Sequence, residues 1–245
     1  MRKLINIKSF RCLVYTIATL FISAAFTAEQ SQADNLSARE IVARMENAYA
    51  NSKTYSDSGV VKVIFIGEVN QTIEKPFTTA FIRPDRFRYE FTEKKPYGPK
   101  QSFIIHLNGK NLQSYWDIQK DLKHDSLNNA VASAAGVSND SAITVPGMLM
   151  PNDITWRRAI RFSQPTRIDD DTVDNADCYR VQDLILGAIP TTLWIDKKTF
   201  MLRKIYREQT FNDFRTEETT IYSPNLNGEV SNDSLEFMPS KWKFW

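Results

Sequence analysis

Phe77-Thr78-Thr79-Ala80-Phe81-Ile82-Arg83-Pro84-Asp85-Arg86-Phe87-Arg88-Tyr89-Glu90-Phe91 is the stretch that decides the fold. An apolar run over 77–83 stops at the turn pair Pro84-Asp85, after which Phe87, Tyr89 and Phe91 alternate with Arg88 and Glu90. A period of two gives a strand one dry face and one wet face, and polar turns between such strands predict an antiparallel sheet, not βαβ units. The same pattern extends both ways. Upstream, 60–66 ends at Gly67-Glu68; downstream, 103–107 and 112–116 flank Asn108-Gly109. Asn-Gly between alternating runs is a strong hairpin signal, because both residues tolerate positive φ. Further strands are expected at 156–162, 178–185, 191–196, 201–207 and 214–222. The charged stretch 169–174 reads as a solvated turn, since its carboxylates lack the glycine-punctuated spacing of a calcium loop.

Helices are expected in two places. Ser37 can cap a helix, Glu40 completes a capping box, Leu36 can staple onto Ile41, and Ile41, Val42, Met45, Ala48 and Tyr49 form a stripe ending near Asn51-Ser52. Between Leu122 and Pro151 the strand pattern stops. Leu127, Ala130, Val131, Ala134 and Ala135 mark one face of a short helix closed by Gly136, and an apolar piece follows at 145–150. The fold class is therefore α+β: helix, strands, helical insertion, strands.

Residues 1–33 read as a cleaved secretory signal. Arg2, Lys3, Lys8 and Arg11 precede an apolar run over 12–26, and Ser31-Gln32-Ala33 supplies small residues at a cleavage site before Asp34. That run is shorter than the roughly 20 residues of a spanning helix, and no other stretch qualifies, so the domain expected at 34–245 has no transmembrane segment. Cleavage would turn the balance of 31 Lys and Arg against 29 Asp and Glu into a net charge of about −1. Near-neutrality without a basic stripe removes the main attraction for nucleic acid or anionic membranes. Cys178 would be the sole mature cysteine, so stability must come from burial and not from an internal disulfide.

Catalytic signals are sparse. His106 lies inside an apolar strand and His124 in a polar stretch; neither belongs to a metal-spaced pair, and no nucleophile elbow, P-loop or dinucleotide fingerprint is present. Neither a catalytic residue, a metal nor a cofactor is expected. Aromatics make up 12% of the chain and recur on one face of successive strands. A long curved sheet has more inner face than one helix and a short insertion can cover, which predicts an apolar cavity lined by Phe81, Phe87, Tyr89, Phe91, Phe103, Ile105, Trp116, Leu193 and Ile195. Such a cavity favours an acyl chain, at about 0.8 kcal/mol per buried CH₂.

In order along the chain, Tyr55-Ser56-Asp57-Ser58-Gly59, then Arg83-Pro84-Asp85-Arg86-Phe87, Asn108-Gly109-Lys110, 192–197 with 202–205, and Phe237-Met238-Pro239 resemble the LolA-like superfamily of periplasmic lipoprotein carriers, which sort outer-membrane lipoproteins. The resemblance spans nearly the whole expected mature chain and implies an unclosed β half-barrel with short helices forming a lid. It places Val145, Met148, Leu149 and Met150 in the lid, and Arg83, which matches the arginine of an Arg-Pro-x-x-Phe element, as the residue holding it closed. The implied function is carriage of a lipid or lipoprotein acyl chain across the periplasm, with an inner-membrane transporter or outer-membrane acceptor as partner. A sensory module for a membrane-bound regulator is the alternative. The chain departs from the pattern at its aromatic end, Ser240-Lys241-Trp242-Lys243-Phe244-Trp245.

Overall fold

Among the described residues, period-two patterning produces eleven strands: β1 (Thr54–Ile66), β2 (Gln71–Ile82), β3 (Arg86–Glu93), β4 (Gln101–Asn108), β5 (Asn111–Trp116), β6 (Thr166–Val173), β7 (Ala176–Ile185), β8 (Ile189–Asp196), β9 (Leu202–Thr210), β10 (Arg215–Tyr222) and β11 (Asn225–Leu226). The computed structural model describes residues 35–93, 100–119, 122–155 and 160–239. The signal segment 1–33, Trp156 and the aromatic tail 242–245 lie outside them.

All strand pairs are antiparallel, in the order β5-β4-β3-β2-β1-β10-β9-β8-β7-β6, with β11 beside the start of β1. Two runs of consecutive hairpins are thus joined at one long-range pair, β1 with β10. Among the described residues β5 and β6 are edges, so the sheet is the expected unclosed one. Three helices cover one face: α1 (Ala38–Ala50), α2 (Leu127–Val137) and α3 (Ser141–Leu149). α1 begins directly after Ser37 and buries Ala38, Ile41, Met45 and Tyr49, three of them from the expected stripe; Val42 and Ala48 are half-buried.

The turns follow local chemistry. Gly109 has φ +61° in the β4–β5 hairpin, and its N–H donates to the Asp85 carbonyl at 3.1 Å. Gly59, at the β1–β10 seam, is needed for another reason. A Cβ there would lie 2.5 Å from the Ile221 carbonyl and closer still to the Phe77 ring. Gly59→Ala is therefore expected to cost about 2 kcal/mol through overpacking, read as a lowered midpoint in urea unfolding.

Three expectations are corrected. Stretch 169–174 is not a turn but most of edge strand β6, which carries a bulge between Ile168 and Asp171; the turn is Asp174-Asn175, with φ 49° and 64°. An edge strand tolerates charge because one side and one face meet solvent. Here Asp171 accepts from Trp194 Nε1 at 3.0 Å, and Asp170 pairs with Lys197 at 2.7 Å. Second, residues 160–162 form no strand; Ile160 and Phe162 face a cleft along α1, where Arg39 donates to the Ser163 carbonyl at 2.6 Å. Third, Gly136 does not close α2, which runs through it to Val137. Asn139 and Asp140, at φ 52° and 61°, make the reversal into α3.

Candidate functional site

Register places the aromatics in rows. One crosses Trp116, Phe103, Phe91, Phe77, Gly59 and Tyr222; the next crosses Ser114, Ile105, Tyr89, Thr79 and Asp57; a third crosses Leu112, Leu107, Phe87, Phe81 and Tyr55. Ring centroids lie 6.1 Å apart for Phe91 and Phe103, 5.6 Å for Phe103 and Trp116, and 5.5 Å for Phe77 and Tyr222. Leu193 and Ile205 continue this inner face on β8 and β9, and Ile195 and Leu202 pair beyond a bulge. All nine residues expected to line a cavity therefore share one face, and Phe77, which the sequence reading left out, sits among them.

The helices rest directly on that face. Phe81, Phe87, Tyr89, Phe91, Phe103, Ile105, Leu193 and Ile195 are at most 2% exposed, while Trp116 is half-buried at the edge. The insertion covers more than expected because it is two helices instead of one: Ala130, Val131, Ala134 and Ala135 of α2 and Ile143, Val145 and Leu149 of α3 are all buried. Of the residues expected in a lid, Val145, Leu149 and Met150 are buried, and Met148 lines a cleft of about 190 Å³ between α1 and α3 with Asn47, Thr144, Gly147 and Ile160. None of the nine face residues lines that cleft.

Polar contacts fix the two-helix cover at both ends. At its corner, Tyr89 Oη and Ser141 Oγ are 2.6 Å apart, Lys75 Nζ donates to the Val137 carbonyl at 2.7 Å and to Asn139 Oδ1 at 2.8 Å, and Asn139 Nδ2 donates to Glu218 at 2.8 Å. Asp140 does not cap α3 with its side chain; its carboxylate meets Arg207 Nη1 at 3.1 Å, as does that of Glu218. Burial raises the Glu218 carboxyl above its ordinary value, against the lowering effect of Arg207. At the far end, Arg83 donates to the carbonyls of Ser52 at 2.8 Å, Ala50 at 2.8 Å and Leu149 at 2.9 Å, so one guanidinium holds the ends of α1 and α3 together. An arginine offers five donors in a fixed fork, which suits carbonyls converging from two helix ends. Arg83→Leu is expected to cost about 1–2 kcal/mol and to speed hydrogen exchange at the ends of α1 and α3 selectively, with β9 and β10 amides unchanged.

A second polar group lies on the same face. Tyr55 donates to Asp57 at 2.7 Å, Tyr49 Oη accepts from the Leu202 N–H at 3.1 Å, and the Tyr49 and Tyr55 rings are 5.4 Å apart. Burial pushes the Asp57 carboxyl up to about 6, outweighing the Tyr55 hydrogen bond that favours its charged form.

The two histidines hold structure together. His124 meets the hydroxyls of Ser114 at 3.0 Å and Ser133 at 2.9 Å, which ties β5 to α2, and His106 packs on Phe237 at 5.7 Å on the opposite face. Both imidazoles are shifted down chiefly by burial. In a serine–histidine–carboxylate triad the second ring nitrogen is oriented by an acid; among the described contacts that place on His124 belongs to a serine hydroxyl. Cys178 is buried on the outer face with Val173 and Trp194, its thiol pushed up to about 11 by burial. Among the described residues no group of three or more His, Cys, Asp or Glu is gathered for a metal, and no helix is long and apolar enough to cross a membrane.

No family model and no curated protein matches the chain. Among solved structures it is similar to MucB in complex with MucA(peri), at 10% identity and TM-score 0.45 over 82% of this chain, and it spans 60% of the MucB chain. It is similar to LprF from Mycobacterium bovis, at 14% identity and TM-score 0.45 over 79% of this chain and 94% of that one. It is also similar to a putative outer membrane lipoprotein-sorting protein domain from Vibrio parahaemolyticus, at 11% identity and TM-score 0.34 over 79% and 94%.

Proposed function

We propose that this protein is a non-catalytic carrier that is exported to the periplasm, takes up the acyl chain of a lipid or lipoprotein between the inner face and the α2–α3 lid, and passes it to an acceptor at the envelope. One observation carries the reading. The face beneath α2 and α3 is a continuous field of aromatic and aliphatic side chains, while hydrogen bonds and ion pairs hold the lid at its corner and its end. Opening breaks polar contacts that water can replace and uncovers apolar surface that water cannot satisfy. A hydrocarbon chain offsets that cost, so lid opening and ligand uptake are linked: a ligand that binds the open state shifts the population toward it. Val145 and Leu149 would then cover the chain, and Met148 and Met150 would adapt to its shape through their unbranched thioethers. Arg83 would restore the closed state after release.

Delivery needs no fuel at this protein, only an acceptor with higher affinity; an inner-membrane transporter as donor and an outer-membrane acceptor are the partners proposed. The test is mass spectrometry of protein purified from a native periplasm, with titration of a fluorescent fatty-acid analogue. Co-purified lipid and saturable binding are expected. Protein free of lipid that also fails to bind the analogue would refute the reading.

A further inference from the structure

We infer that Arg207 and Lys75 form a binding site for the anionic headgroup of the bound amphiphile, and that Asp140 of the lid occupies this site as a carboxylate placeholder while the lid is closed. The inference rests on the acyl-chain reading and adds to it the chemistry of the polar end.

Arg207 lies two residues beyond Ile205 on β9 and so points to the inner face, opposite Glu218 and Thr191. Its side chain is 8% exposed, and its Nε has no hydrogen-bond partner among the described residues. A buried guanidinium with a spare donor has unused capacity for an oxyanion, which it can hold through two parallel bonds. Asp140, by contrast, is 43% exposed, so the ion pair joins a fixed buried cation to a carboxylate that water already reaches. Asp140 also stands in the left-handed region and leaves α3 uncapped, geometry that aims its carboxylate at the sheet instead of at its own helix.

Charge supports the exchange. With the lid closed, Lys75 and Arg207 face Glu93, Glu218 and Asp140. Lid opening withdraws Asp140 and the Asn139 and Val137 oxygens that Lys75 holds. An incoming oxyanion can take the places that these oxygens leave on the two cations. The aromatic rows start nearby: Lys75 and Phe77 are alternate residues on the inner face of β2. An acyl chain ending beside Phe77 would bring its carboxylate or phosphate to Lys75, which Asn139 and Glu218 link to Arg207.

The experiment measures binding of oleate, methyl oleate and inorganic phosphate to the purified protein and to Arg207→Gln, Arg207→Lys and Asp140→Asn, each checked for its unfolding midpoint. Wild type is expected to bind oleate at least about tenfold more tightly than methyl oleate, the scale of one charge-assisted hydrogen bond. Arg207→Gln should erase that preference, bringing the oleate and methyl oleate affinities together, and Arg207→Lys should restore part of it. Asp140→Asn should raise the preference for oleate over methyl oleate several-fold by removing the competitor, and this arm carries the test if Arg207→Gln does not fold. Equal binding of oleate and methyl oleate, or an oleate preference unchanged in Asp140→Asn, would overturn the headgroup site while leaving the acyl-chain reading intact. Phosphate binding as tightly as oleate through Arg207 would overturn it in favour of a free-anion site. If neither oleate nor methyl oleate binds, the acyl-chain reading itself falls.

Discussion

Phe103→Ala is expected to destabilise the protein by about 4 kcal/mol, the usual scale for removing a fully buried aromatic from a packed core. Phe103 is 0% exposed and sits between Phe91 and Trp116, so its removal opens a gap inside a row and takes a ring contact from each of them. The face is rigid beneath and covered by helices above, which limits how far the surroundings can collapse into the space. The loss should appear in urea unfolding as a lower midpoint with an unchanged slope. A cost below about 1 kcal/mol would mean that the aromatic rows are loosely packed and that the lid does not seat on them.

Asp57→Asn is expected to act in the opposite direction. A carboxyl raised from 3.8 to about 6 in the fold binds its proton more tightly there than in the unfolded chain. Its contribution is therefore fully present below about pH 4, is lost as pH rises through about 6, and leaves the protein about 3 kcal/mol less stable at neutral pH than a permanently neutral group would. Asparagine keeps an oxygen for the Tyr55 hydroxyl and carries no charge. The variant should be more stable than wild type at pH 7.5, equal to it near pH 4, and flatter in between. Lower stability of Asp57→Asn at pH 7.5 would show that the Asp57 charge is held by interactions stronger than its burial cost.

Local signals made much of the sheet legible. Asn108-Gly109 announced the β4–β5 hairpin because turn chemistry acts within four residues, and Phe87, Tyr89 and Phe91 disclosed their shared face by phase alone. β6 was hidden because Asp169, Asp170 and Asp171 break the apolar pattern, and the residues that pair with Asp170 and Asp171 are distant in sequence: Lys197 in the β8–β9 turn, Arg180 on β7 and Trp194 on β8. The polar corner of the lid was hidden for the same reason. Lys75, Arg207 and Glu218 are charged residues on three separate strands, and the turn that gathers them, Asn139-Asp140, falls where no periodicity exists. A faint signal was available in Arg207, which keeps phase with Ile205 and so belongs to the buried side. Arg83 was legible as a strand-end arginine; its three carbonyl partners depend on where two helices stop.

The central claim is that an acyl chain lies against the inner face, and two tryptophans on opposite faces test it directly. Trp116 pairs with Phe103 on the inner face, whereas Trp194 stands on the outer face with Cys178 and Val173. Single-tryptophan variants retaining one or the other, titrated with a brominated fatty acid, separate the two surfaces. Saturable quenching of Trp116 with Trp194 unaffected is predicted; equal quenching of both, or of Trp194 alone, would contradict a ligand held beneath the lid.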